Sequence, residues 1–297
     1  MIIDPQHARL MRLATRAALA VALSLALAKA VAWWFSGSVS LLAGLTDSLL
    51  DGAASLLNLI AVAYALRPAD DNHRYGHGKA EALAGLGQGV FIGASAVLVG
   101  YQGFQRLADP QPLEATGAGL AVIVVSLLAT FALLRFQRHV VQVTGSTAIT
   151  ADALHYRSDL LLNGSILAAL LLAQAGLQRA DALFGLGIAA YILYSALGIV
   201  RGACSVLMDE ELPVEISQRM HELACSVPGV LGAHDLRTRM SGTHWFVQLH
   251  LELPGGLSLI EGHALCDQAE AAILKEFLRA EVLVHADPPD AVRYRRH

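Results

Sequence analysis

The sequence has little charge and few cysteines. Charged residues make up 15% of its 297 residues, against about 25% in ordinary soluble domains, while 55% of the residues are hydrophobic. Cys204, Cys225 and Cys266 stand far apart without CxxC spacing, which excludes a disulfide framework and a zinc ribbon. Because the sequence also lacks a Lys/Arg cluster with interleaved aromatic residues, no nucleic-acid partner is expected. This composition is typical of a chain that lies largely in a lipid bilayer.

Six apolar stretches are long enough to cross a bilayer, since about 20 apolar residues span ~30 Å of hydrocarbon as a helix. They cover residues 13–35, 38–66, 81–107, 113–136, 147–173 and 180–206. Six spans place both termini on one side. Most cations fall at the termini or the even-numbered connections, including Arg9, Arg12, Arg16, Arg67, Arg74, Lys79, Arg135, Arg138 and Arg201. By the positive-inside rule, this pattern predicts a multi-pass membrane protein with both termini in the cytoplasm.

The charge pattern changes near Met208, which predicts a domain boundary there. Residues 1–208 are expected to form the six-helix transmembrane domain, and residues 209–297 a cytoplasmic α+β domain in which acidic residues outnumber basic ones. Within the second domain, residue patterns predict two helices and three strands. These elements are a helix at 212–226, strands at 231–240 and 243–253, a helix at 258–279 and a strand at 281–286.

Two of the predicted spans carry ionisable pairs. The second span contains Asp47 and Asp51, and the fifth contains His155 and Asp159. Each pair has i,i+4 spacing and therefore lies on one face of its helix. A charged side chain at the bilayer centre costs about 2.5–3.5 kcal/mol on insertion scales, so such residues indicate a functional site.

Three carboxylates and one imidazole form a ligand set that suits tetrahedral Zn²⁺ and tolerates Cd²⁺ or Fe²⁺. The alternative is a set of interhelical hydrogen bonds or a proton relay without metal. Three carboxylates cannot all stay ionised in a low-dielectric site that holds no cation, so protons are expected to replace the metal. If the site opens to each side in turn, metal export is coupled to proton entry.

Further candidate ligands lie outside the spans. Residues 68–79 contain two histidines and two aspartates, which indicate either an exposed metal site or a solvated polar turn. The cytoplasmic domain has candidate ligands near the ends of its strands and in its second helix, although a histidine taken singly is more often a surface or packed residue than a ligand. These candidates are His234, His250, His263, His285 and Asp287.

Five segments in this order resemble the cation diffusion facilitators, and specifically the YiiP-type bacterial zinc and ferrous-iron efflux transporters. They are residues 45–51, 68–79, 152–159, 234–239 and 284–288. The resemblance implies a homodimer whose cytoplasmic domain has a ferredoxin-like αββαβ fold.

The same resemblance implies roles for individual residues. Asp47, Asp51, His155 and Asp159 match the transport site, and Asp70, His73 and His77 match a loop site. The cytoplasmic histidines and Asp287 match a binuclear metal site, with His263 matching its remaining imidazole. Lys79 and Asp209 match a structural charge pair that links the membrane domain to the dimer hinge.

Three functions are compatible with these residues. The first is a proton-coupled antiporter that exports Zn²⁺, or Cd²⁺ or Fe²⁺, by alternating access. The second is a membrane-bound metalloenzyme, which needs an open water position and a nearby base. Because four side chains fill a tetrahedron, we expect the protein not to be an enzyme. The third is a metal sensor without transport, which predicts that the four intramembrane residues are dispensable for metal resistance.

Overall fold

The computed structural model describes residues 4–36, 39–108, 117–174 and 180–289. The chain divides into two compact units, Ile2–Cys204 and Ser205–His297. The predicted boundary after Met208 stays a prediction. The starts of two predicted spans, residue 38 and residues 113–116, lie outside the described residues.

In the described part of the chain, six long helices precede the second unit. They are α1 (Pro5–Ser36), α2 (Val39–Ala65), α3 (Lys79–Ala108), α4 (Gly117–Thr144), α5 (Thr147–Gln174) and α6 (Ala180–Leu207). Within the described residues, all of these except α5 are long and apolar enough to cross a membrane. Helix α5 is of similar length and carries the charged residues Asp152, Arg157 and Asp159. The expected helical membrane domain is confirmed, with five of its six described helices as candidate membrane spans.

Small residues let these helices approach closely. Four alanines spaced four residues apart on α1 are buried, namely Ala14, Ala18, Ala22 and Ala26. Helix α3 packs against α6 through glycines, and a Cβ added at Gly89 would lie 2.9 Å from Cγ2 of Val200. Interfaces of this kind are typical of membrane helices, because lipid supplies no hydrophobic driving force and association depends on close packing.

The second unit contains α7 (Val214–Cys225), β1 (Gly232–Ser241), β2 (His244–Glu252), α8 (Leu259–Glu276) and β3 (Ala280–Asp287). The sheet order is β1-β2-β3, with β1 antiparallel and β3 parallel to β2. Ser258 begins α8 with a capping box, because its hydroxyl accepts from the Glu261 amide and its own amide donates to the Glu261 carboxylate. The predicted αββαβ domain is confirmed.

One face of this sheet forms the core of the second unit. Val247, Leu249 and Leu251 alternate along β2 and are buried in one cluster with Met220 of α7 and Ile273 of α8. Because successive side chains of a strand point to opposite faces, His250 and Glu252 lie on the other face of β2. The helices therefore pack on one face of the sheet, and His250, the predicted metal ligand of β2, lies on the opposite face.

Candidate metal centres

Two carboxylates and one imidazole meet between α2 and α5. Nε2 of His155 lies 3.0 Å from Oδ1 of Asp51 and 3.7 Å from Oδ2 of Asp159. One ligand atom from each residue lies within 4.8 Å of the others. In a tetrahedral zinc site with bonds of about 2.0 Å, neighbouring ligand atoms are roughly 3.3 Å apart. The three side chains are therefore close to the spacing that one such ion requires.

Asp47, the fourth predicted ligand, lies one helical turn before Asp51. It lines a cavity of about 360 Å³ together with Asp51 and Asp159, but it is not one of the three residues within ligand distance of one another. The structure thus groups three of the four predicted residues and places the fourth on the wall of the same cavity.

Lys29 of α1 lines this cavity as well, and our sequence reasoning missed it. Its Nζ donates hydrogen bonds to Oγ of Ser48 at 2.7 Å and to the carbonyl oxygen of Gly44 at 3.1 Å. A cation inside an apolar helix was the available signal, because such residues are rare within membrane spans and commonly line polar cavities. The lysine brings a positive charge to a cavity that carries three aspartates.

Tyr156 joins three helices beside the cluster. Its hydroxyl donates to the carbonyl oxygen of Ala18 on α1 at 2.9 Å and shares a 2.8 Å hydrogen bond with Oγ of Ser55 on α2. The side chain is almost fully buried. Since Tyr156 follows His155 in α5, these bonds fix the height and rotation of the helix that carries His155 and Asp159.

A further buried carboxylate lies one turn before His155. Oδ2 of Asp152 accepts a 2.7 Å hydrogen bond from Nε2 of Gln137 on α4, and its Oδ1 lies 3.5 Å from Nε2 of Gln88 on α3. Asp152 and Gln137 are both almost fully buried. These contacts connect α5 to both neighbouring helices and give Asp152 a hydrogen-bonding role distinct from that of the cluster.

The predicted loop residues Asp70, His73 and His77 come together between α2 and α3. Nδ1 of His73 lies 3.2 Å from Oδ1 of Asp70, and Nε2 of His77 lies 3.4 Å from Oδ2 of the same carboxylate. Asp70 and His73 are half exposed, whereas His77 is buried against the ring of Tyr64, with ring centroids 4.6 Å apart. The group opens to solvent on one side.

Backbone hydrogen bonds hold the carboxylate of Asp70 in this loop. The amide of His73 donates to Oδ1 of Asp70 at 2.7 Å, and that of Asn72 donates at 3.0 Å. The bond from the His73 amide holds the pKa of Asp70 below its usual range. Within the described chain, Nδ1 of His77 is buried without a hydrogen-bond partner. A turn that fixes an ionised carboxylate between two imidazoles suits a divalent cation.

The cytoplasmic cluster follows from strand register. His234 of β1 pairs with His250 of β2, which pairs with His285 of β3. Asp287 lies two residues after His285 and therefore projects from the same face. The structure thus aligns three histidines across neighbouring strands, with the aspartate beside them.

Asp287 uses its two oxygens differently. Oδ2 lies 2.7 Å from Nδ1 of His250 and 3.3 Å from Nε2 of His234, whereas Oδ1 lies 3.2 Å from Nε2 of His285. Among the described residues, the ring nitrogens of His234 form no hydrogen bond. Imidazole nitrogens without hydrogen bonds beside a carboxylate fit metal ligation, and a carboxylate with histidines at both oxygens could bridge two ions.

The structure changes the predicted set of cytoplasmic metal ligands at two residues. His263 lies on α8 with its side chain 74% exposed, 3.8 Å from Asp267, and outside the group His234, His250 and Asp287. Sequence reasoning missed Glu252, whose Oε1 is 3.5 Å from Nδ1 of His234. Its position two residues after His250 in an alternating strand was the signal that could have identified it.

Lys79 and Asp209 belong to different compact units. Lys79 begins α3, and Oδ1 of Asp209 forms an ion pair of 3.3 Å with Nη1 of Arg239. The charge pair between Lys79 and Asp209 that the resemblance implies stays a prediction.

Comparisons with known proteins cover nearly the whole chain. Residues 15–208 match the profile of the cation efflux transmembrane domain, and residues 212–289 match that of the cation efflux protein cytoplasmic domain. A protein named cation-efflux pump FieF from Yersinia enterocolitica is 52% identical over 294 residues, which are 99% of this chain and 98% of that protein. The protein of the same name from Yersinia pestis is 51% identical with the same coverage.

Some solved structures match a smaller part of this chain. The structure of CzrB in its zinc form is 32% identical and covers 28% of this chain and 96% of its own, with a TM-score of 0.26. A MamM-CTD structure is 27% identical over 25% of this chain and 94% of its own, with a TM-score of 0.24. The two family profiles and the full-length relatives establish that this chain belongs to the cation diffusion facilitators, a family of cation efflux transporters.

Proposed function

We propose that this transporter exports divalent transition-metal ions, Zn²⁺ above all, from the cytoplasm in exchange for protons. The observation that carries this proposal is the group of Asp51, His155 and Asp159 between two membrane helices, with Asp47 on the wall of the adjoining cavity. The relatives named cation-efflux pumps support the direction of transport. Alternating access at this cavity is the proposed route.

The ligand chemistry favours zinc among the candidate cargoes. One imidazole and three carboxylates provide nitrogen and oxygen donors without thiolate, which suits Zn²⁺ and also accommodates Cd²⁺ and Fe²⁺. Divalent ions of the first transition series bind such sites in a fixed order that places zinc above iron. We therefore expect zinc to be carried at lower concentrations than iron.

Exchange for protons follows from the charge of the empty site. Without metal, Asp47, Asp51 and Asp159 share one cavity with only Lys29 and Arg106 as basic lining residues in the described chain. Removing a divalent ion leaves negative charge in a medium of low dielectric constant, which favours protonation of His155 or a carboxylate. Metal binding then displaces these protons.

The proposal also covers the assembly and location of the transporter. The protein is a homodimer in the bacterial inner membrane with both termini in the cytoplasm, as the distribution of arginine and lysine favours. Its loop and cytoplasmic clusters bind further metal ions, and Lys79 and Asp209 form a structural charge pair. The protein carries out no covalent chemistry on its cargo and is not an enzyme.

The test is zinc uptake into proteoliposomes with an acidic interior, with internal zinc and internal pH recorded together. The intact protein is expected to accumulate zinc while protons leave, and Asp51→Asn is expected to abolish both signals. Asp71→Asn is the matched control, because Asp71 is 94% exposed and pairs with Arg74 rather than with the cluster. If folded intact protein binds zinc but moves neither ion, the sensor without transport replaces this proposal.

A further inference from the structure

A second cavity, of about 760 Å³, lies between α4, α5 and α6, away from the aspartate cluster. Three arginines line it: Arg135 and Arg138 near the C-terminal end of α4, and Arg157 in the first half of α5. All three are exposed. The guanidinium of Arg157 lies over the ring of Tyr191 on α6, 5.2 Å from its centroid, and this contact holds it at the cavity.

No carboxylate balances these charges within the described chain. None of the described residues that line the cavity is acidic, and none of the three arginines has an ion-pair partner among the described residues. Three arginines beside one cavity, without an acidic residue in its described lining, give the cavity a positive electrostatic potential. The cavity is therefore complementary to a negatively charged ligand.

The apolar walls of the cavity indicate the chemistry of the uncharged part of that ligand. Phe131 and Leu134 of α4, Leu160 of α5 and Ile199 of α6 line it beside the arginines. A small hydrophilic anion would leave these apolar walls uncovered. An anion with an attached hydrocarbon chain would satisfy both surfaces, and guanidinium groups match phosphate oxygens well.

We propose that the cavity between α4, α5 and α6 is a binding site for an anionic phospholipid. The phosphate lies against Arg135, Arg138 and Arg157, and an acyl chain lies along the apolar wall. Basic pockets between membrane helices are known to receive such headgroups. Because Arg157 lies between His155 and Asp159 in sequence, a bound lipid would also hold the outer face of the helix that carries them.

Native mass spectrometry of the full-length protein in detergent tests this proposal, with phosphatidylglycerol or phosphatidylcholine added in increasing amounts. Each arginine near an anionic lipid strengthens binding by about fivefold. The variant with Arg135→Gln, Arg138→Gln and Arg157→Gln is therefore expected to bind phosphatidylglycerol on the order of a hundredfold more weakly. The single variant Arg157→Gln removes one of the three charges, so it is expected to bind phosphatidylglycerol about fivefold more weakly. It replaces the triple variant in this test if the triple variant does not fold.

The matched control replaces three exposed arginines that do not line the cavity, in the variant Arg12→Gln, Arg16→Gln and Arg201→Gln. It is expected to bind phosphatidylglycerol like the intact protein. Equal loss in both triple variants would assign the effect to overall charge and overturn the proposal. Equal binding of phosphatidylcholine and phosphatidylglycerol by the intact protein would overturn it as well.

Glycerol phosphate distinguishes a lipid from a free phosphate. It carries the same phosphate without acyl chains, so it is expected not to displace phosphatidylglycerol at equal concentration. Displacement at equal concentration would mean that the apolar wall contributes nothing, and the lipid would be the wrong ligand.

Discussion

Nζ of Lys29 on α1 donates a 2.7 Å hydrogen bond to Oγ of Ser48 on α2, next in sequence to Asp47. The bond holds a positive charge at the wall of the cavity that Asp47, Asp51 and Asp159 also line. A fixed cation there offsets part of the carboxylate charge when no metal is bound and repels a divalent ion when one enters. Lys29 should therefore weaken metal binding and assist metal release.

Removing this charge should tighten zinc binding. At an effective dielectric constant of about 20, a unit and a double charge roughly 10 Å apart repel by about 3 kcal/mol. Allowing for screening by the carboxylates, Lys29→Gln is expected to lower the zinc concentration for half-maximal transport by about tenfold and to reduce the maximal rate.

The control is Lys29→Arg, which keeps the charge and is expected to keep the half-maximal concentration. The measurement is initial zinc uptake into proteoliposomes over a range of zinc concentrations. An unchanged half-maximal concentration in Lys29→Gln would show that Lys29 only joins α1 to α2.

Close packing of α3 on α6 predicts a strong difference between two glycines. A Cβ at Gly89 would lie 2.9 Å from Cγ2 of Val200 and 3.3 Å from Cγ2 of Ile199, whereas one at Gly87 would meet nothing within 4 Å. Overpacking of this kind typically costs about 1–3 kcal/mol. Gly89→Ala is therefore expected to lower the midpoint of thermal unfolding in detergent by several degrees.

Gly87→Ala provides the comparison on the same helix. Alanine favours a helix over glycine by up to about 1 kcal/mol, so this variant is expected to unfold at the same or a higher temperature. Equal midpoints for Gly87→Ala and Gly89→Ala would contradict the close approach of α3 and α6.

The sequence alone predicts those features of the structure that depend on local geometry. Long apolar runs predict membrane helices, because a helix needs about 20 apolar residues to cross the bilayer. The i,i+4 spacing places Asp51 one helical turn from Asp47 in any tertiary fold. The alternating pattern of β2 similarly predicts which residues share a face with His250. Such features depend on local geometry.

Other features depend on contacts between distant segments, which the sequence alone does not specify. The pairing of His234 with His250 and His285 needs the strand register, and the hydrogen bond from Lys29 to Ser48 needs the packing of α1 on α2. The position of His263 on an exposed face of α8 also depends on how that helix is rotated against the sheet. Residue spacing gives no information on these three points.

The two oxygens of Asp287 predict how many cytoplasmic metal ions each variant loses. Oδ2 is close to His234 and His250, and Oδ1 is close to His285. If the carboxylate bridges two ions, Asp287→Asn should weaken both sites, whereas His285→Ala should remove one ion and leave the other. Bound zinc per protomer is measured by elemental analysis after equilibrium dialysis.

This measurement uses the full-length protein with Asp51→Asn as the common background, so that zinc at the membrane cluster does not obscure the count. Asp267→Asn is the control, because Asp267 is an exposed carboxylate of α8 that contacts only His263 among these histidines. A loss of one ion in both Asp287→Asn and His285→Ala would contradict a bridging carboxylate.

The hydroxyl of Tyr156 should stabilise the membrane bundle through its two interhelical hydrogen bonds. Such bonds contribute on average about 0.6 kcal/mol each in membrane proteins, so Tyr156→Phe is expected to destabilise the protein by about 1 kcal/mol. Ser55→Ala removes only one of the two bonds and should cost roughly half as much.

The double variant distinguishes these bonds from simple packing. Because Ser55 and Tyr156 share one bond, the effects of Ser55→Ala and Tyr156→Phe on the free energy of unfolding should sum to more than the effect of both together. Strict additivity would mean that this bond contributes nothing measurable. Zinc transport should also slow in Tyr156→Phe, since the bond to Ser55 on α2 helps to fix the height of His155 relative to Asp51.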